Sequence, residues 1–78
     1  MKTDPLPDHI RVLNVFGAEY YIPWEELPRG GSFFLPTTAT PKQVYAALKP
    51  MEKHLQIELE VRARREYGVL GVRVWRTY

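Results

Sequence analysis

The residues with the most chemical character are arginines near the C-terminus: Arg62, Arg64, Arg65, Arg73 and Arg76, set against the single Glu66 in that stretch. Residues 62–78 carry a net charge of +4 and the first 61 carry −2, which together make the chain's +2. Guanidinium is planar, always charged and able to stack on aromatic rings, so an arginine cluster suits the recognition of phosphate, carboxylate or nucleobases. Trp75 lies among these arginines. An exposed sheet face of Arg and aromatic side chains can bind nucleic acid, phosphates taking the guanidinium groups and bases the rings. The candidate binding residues are therefore Arg62, Arg64, Arg65, Arg73, Trp75 and Arg76. The same charges also fit an acidic protein surface, or a solvated strand face with no partner at all.

Catalytic chemistry is hard to build from what remains. The chain has no cysteine, which excludes disulfides, Cys-ligated zinc and thiol catalysis. His9 and His54 have no spacing that suggests metal ligation or base catalysis, and Glu25-Glu26 read as adjacent solvated carboxylates. Ser32 lacks a nucleophile-elbow context. Arg29-Gly30-Gly31-Ser32 reads as a turn, because no Gly-Lys-Ser/Thr follows to make it a phosphate loop. The expectation is a non-enzymatic protein without metal or cofactor. Met1–Asp8 has no apolar run and so resembles neither a signal peptide nor an anchor. No stretch approaches the roughly 20 apolar residues of a membrane span. These features point to a soluble, cytoplasmic protein with no membrane partner.

Positioning the arginines requires a small fold. Seventy-eight residues allow one domain, and 45% hydrophobic with 26% charged residues is an ordinary globular balance. Residues 1–9, with Pro5 and Pro7, read as a flexible leader to a single domain over 10–78. Ile10–Phe16 and Glu19–Trp24 read as a hairpin closed by Gly17-Ala18 in a type II′ turn. That register sets Val15 opposite Tyr20 and Leu13 opposite Ile22 on the core face. Trp24–Leu27, bracketed by Pro23 and Pro28, has room for one helical turn, and Ser32–Leu35 reads as a short strand closed by Pro36, which suits an edge or a strand end.

Thr40-Pro41-Lys42-Gln43 opens a helix with a cap, a proline at the first helical position and a capping box. Its apolar stripe is Val44, Ala47, Leu48, Met51 and Leu55. Pro50 predicts a kink or an early stop near Lys49. From Gln56 to Arg65 the pattern alternates: Ile57, Leu59, Val61 and Ala63 face inward, and Glu58, Glu60, Arg62 and Arg64 outward. Val72 and Val74 continue the inner face of a second hairpin. Parity leaves two registers: a two-residue loop sets Arg62 against Arg73 and Glu60 against Trp75, and a four-residue loop sets Arg64 against Arg73. Either one places like charges opposite each other. Stacking on Trp75, a bridge to Glu58 or Glu60, or a polyanionic partner would offset that repulsion. The predicted fold is α+β, a small, largely antiparallel sheet in the order β-β-β-α-β-β with one helix packed on its apolar face.

The frame Pro23-Trp24…Leu27…Gly31-Ser32-Phe33-Phe34…Pro36, followed by a helical middle and Arg62…Gly71-Val72-Arg73-Val74-Trp75-Arg76, resembles a family of small, mostly uncharacterised bacteriophage-encoded accessory proteins. The likeness spans roughly residues 20–76, and Pro50 departs from the simple helix of that pattern. It implies a phage accessory protein acting in the host cytoplasm and brings no catalytic motif. Two functions fit it: nucleic-acid binding with modulation of host transcription through the Arg/Trp face, or protein-binding inhibition of a host enzyme or defence complex.

Overall fold

The computed structural model describes residues 7–78. A single helical turn, α1 (Asp8–Arg11), leads into β1 (Val12–Val15) and β2 (Ala18–Tyr21), a two-stranded sheet. A 3₁₀ turn at Trp24–Glu26 precedes β3 (Ser32–Pro36), the long helix α2 (Pro41–Leu55), and the strands β4 (Leu59–Glu66) and β5 (Val69–Arg76). The last three strands form an antiparallel sheet in the order β3-β5-β4. The α+β class and the helix on the apolar face are as the periodicity predicts. The strands divide into two sheets rather than one, and α2 packs against both β1 and β4.

The core follows from alternation. Leu13, Val15 and Ile22 come from the first hairpin, Val44, Leu48 and Met51 from α2, and Leu35, Leu59, Val72 and Val74 from the three-stranded sheet; all are buried. Trp24 closes one end, its Nε1–H donating to the Ile10 carbonyl at 2.8 Å and its ring meeting Phe33 edge-on. The Tyr20 hydroxyl donates to the Pro36 carbonyl and so ties the two sheets together.

Several expectations change. Asp8 and His9 belong to the folded unit as part of α1, where the Pro7 carbonyl accepts from the N–H groups of Ile10 and Arg11. The remainder of the expected leader, residues 1–6, lies outside the described residues. The first hairpin turns at Phe16-Gly17, not Gly17-Ala18, so Leu13 faces Tyr20 and Val15 faces Ala18. Both turn residues have positive φ (50° and 76°), the type I′ geometry whose twist matches that of paired strands. The shift preserves parity, so the predicted core face is retained. Helix α2 begins with the predicted Thr40–Gln43 capping box and runs through Pro50 to Leu55. Pro50 lies on the exposed side, where the carbonyl left without a donor meets water, while Met51 is buried in the core.

Candidate nucleic-acid interface

The second hairpin turns at Tyr67-Gly68, again with positive φ at both residues (54° and 79°). The two-residue loop selects one of the predicted registers: Arg62 faces Arg73 and Glu60 faces Trp75. β3 adds Phe34 beside Arg73 and Ser32 beside Trp75. The outward face of the sheet therefore carries Glu60, Arg62, Arg64 and Glu66 on β4, Arg73 and Trp75 on β5, and Ser32 and Phe34 on β3.

The arginines on this face are held in three ways. Arg73 donates through Nε and Nη2 to both oxygens of Glu66, each at 2.7 Å, and through Nη1 to Ser32 Oγ at 2.7 Å. These hydrogen bonds favour the charged forms, holding the Glu66 carboxyl below its ordinary value and raising that of Arg73. Arg62 meets Glu60 on its own strand at 3.3 Å, with both side chains largely solvated. Arg64 lies over the Trp75 ring, its guanidinium carbon 5.2 Å from the centroid. The predicted stacking and the Glu60 bridge are both present. The strongest neutralising group is Glu66, which alternation alone places on this face because it shares parity with Arg62 and Arg64. Arg73 is thus committed, whereas Arg62 and Arg64 remain at the surface.

Two of the six candidate residues lie elsewhere. Arg65 and Arg76 have the opposite parity and point to the other side of the sheet. Arg65 Nη1 donates to the Gly68 carbonyl at 3.1 Å, bracing the hairpin tip. Arg76 Nη1 donates to the Leu27 carbonyl at 2.9 Å and Nε to that of Tyr78 at 2.8 Å, fastening the loop before β3. Arg76 therefore has a structural role. The Gly30 N–H donates to the Arg76 carbonyl and the Gly31 N–H to that of Pro28, so the turn around them offers no anion cradle. Phe34 and Ser32 escape sequence reasoning because only the pairing of β3 with β5 brings them here.

Beyond Val61 the β4–β5 hairpin leaves the core. Ala63, Val69 and Leu70 are exposed, and Tyr67 at the tip is fully so. His9 and His54, far apart in sequence, meet edge-on with centroids 6.3 Å apart, but no group of three metal-ligating side chains occurs among the described residues. No described helix is long and apolar enough to cross a membrane. No protein-family model, curated protein or solved structure matches the chain.

Proposed function

We propose that this is a non-enzymatic, phage-encoded accessory protein that binds nucleic acid in the host cytoplasm through the outward face of the β3-β5-β4 sheet, and through that contact modulates transcription. The observation that carries the reading is Arg64 stacked on Trp75, beside the solvated Arg62. Phosphates would take the two guanidinium groups and a splayed base the indole. Arg73 would hold the platform in shape through Glu66 and Ser32 rather than contact the ligand.

The test is a fluorescence-anisotropy titration with duplex and single-stranded DNA over a range of salt. Arg62→Ala with Arg64→Ala should weaken duplex binding and flatten the slope of log K against log salt by about two. Trp75→Ala should cost about 1–3 kcal/mol on single strands with little change in slope. Trp24 is buried and Trp75 only half-buried, so a change in indole fluorescence on binding would report contact at Trp75.

A second reading, a protein-binding inhibitor of a host enzyme or defence complex, rests on the exposed Tyr67, Val69 and Leu70 at the hairpin tip. Apolar side chains gathered at a protruding tip suit a protein groove better than a phosphate backbone. Absence of DNA binding at low salt, together with a host protein whose affinity falls on Tyr67→Ala, would replace the first reading by the second.

A further inference from the structure

β4 is an eight-residue edge strand with no neighbouring strand on its outer side among the described residues. Such an edge presents main-chain donors and acceptors ready for another strand. Which residues present them follows from the ladder. The Glu58 carbonyl accepts from the Thr77 N–H at 2.8 Å, so the even-numbered residues of β4 direct their main-chain groups to β5. Alternation then directs those of Leu59, Val61 and Ala63 outward. The Leu59 N–H is found there, held by Glu52 Oε2 at 2.8 Å.

We propose that β4 is a self-pairing edge: two copies of this chain join antiparallel about Val61, forming one continuous sheet in the order β3-β5-β4-β4-β5-β3. The charge pattern selects the register. A two-fold axis normal to the sheet keeps the apolar faces of both copies on one side only if it passes through a single residue pair. Centred on Val61, Glu60 faces Arg62 of the second copy and Glu58 faces its Arg64, so every charged cross-strand pair is of opposite sign. Centring on Glu60, Arg62 or Arg64 sets that residue against itself. Centring on Ala63 sets Arg62 against Arg64 and Glu60 against Glu66. On the inner side the chosen register pairs Val61 with Val61 and covers the exposed Ala63 with Leu59. The Val61 N–H and carbonyl bond reciprocally across the axis, and each Ala63 N–H reaches the Leu59 carbonyl of the other copy. The Leu59 N–H exchanges Glu52 for the Ala63 carbonyl of the other copy, and the released carboxylate turns to water. The pairing does not depend on nucleic acid, but it would set two Arg64–Trp75 stacks side by side on one extended face.

Sedimentation equilibrium of the full chain tests this. The parent should show a reversible monomer–dimer equilibrium that weakens with salt. Glu60→Arg and Arg62→Glu each convert the central pairs to like charges and should raise the dimer Kd by about tenfold or more. Mixing the two variants restores opposite charges at both pairs and should yield a heterodimer. Ala63→Pro removes an outward N–H without touching the β4–β5 ladder and should also dissociate the pair, with circular dichroism showing that the fold persists. A parent that remains monomeric at millimolar concentration overturns the proposal. So does a dimer that survives these substitutions, or a mixture that fails to associate.

Discussion

The two hairpins close in the same way and end differently. Both turn on an aromatic–glycine pair, Phe16-Gly17 and Tyr67-Gly68, with both residues in the left-handed region. In β1–β2, with four residues in each strand, Leu13 and Val15 reach the core before the turn. In β4–β5, with eight in each, the core is used up by Val61 and Val72. The surplus length carries Ala63, Val69 and Leu70 into solvent although the alternation continues. Alternation therefore says which way a side chain points and not whether anything is there to cover it. The short hairpin is built into the core, and the long one runs past the core into solvent.

The largest effect that would sharpen this contrast is in the short hairpin. Leu13→Ala, and Leu48→Ala on the helix that packs against it, should each cost about 2–5 kcal/mol in denaturant unfolding, because both side chains are almost fully buried. Small losses at both would mean that the first hairpin is not part of the cooperative core.

Turn substitutions come next. Gly17→Val should cost more than about 1 kcal/mol, since a β-branched residue is strained at positive φ. Gly68→Val meets the same strain but in a tip that can fray without unfolding the core. Its thermal midpoint should therefore fall less, while amide exchange near the tip rises. Equal midpoint losses would show that the two turns are equally coupled to the fold.

Acid comes third. Hydrogen bonds from Arg73 depress the Glu66 carboxyl in the long hairpin, and those from Arg11 depress Glu25 beside the short one. A carboxyl whose folded pKa lies below its unfolded value stabilises the protein above the unfolded value. That contribution is lost as pH falls through the folded value. Thermal midpoints should be level above the carboxylate range, about pH 5, and decline below it. Glu66→Gln and Glu25→Gln should each remove part of that decline. A variant that keeps the parent's full acid slope would show that its ion pair does not support the hairpin it adjoins.

The smallest effect should be Leu70→Ala, within about 0.5 kcal/mol, because nearly half of that side chain is already in water. A large loss would mean that the tip packs against something.

Local chemistry determined a good deal of this molecule. The Thr40–Gln43 box started the helix where predicted, because its bonds lie within four residues. Period-two alternation set the faces of β4 and β5, and with them the shared side of Arg62, Arg64, Arg73 and Trp75. Parity also separates Arg65 and Arg76 from that face, so their placement was available from the sequence as well. Tertiary structure decided the rest. The first turn moved by one residue because Phe16 accepts a left-handed conformation that propensity disfavours, once the strand pairing supports it. α2 passed Pro50 because Met51 on one side is buried and the broken hydrogen bond on the other is solvated. Ser32 and Phe34 joined the arginine face only when β3 paired with β5. Those contacts link residues far apart in the chain, and no local spacing encodes which strand lies beside which.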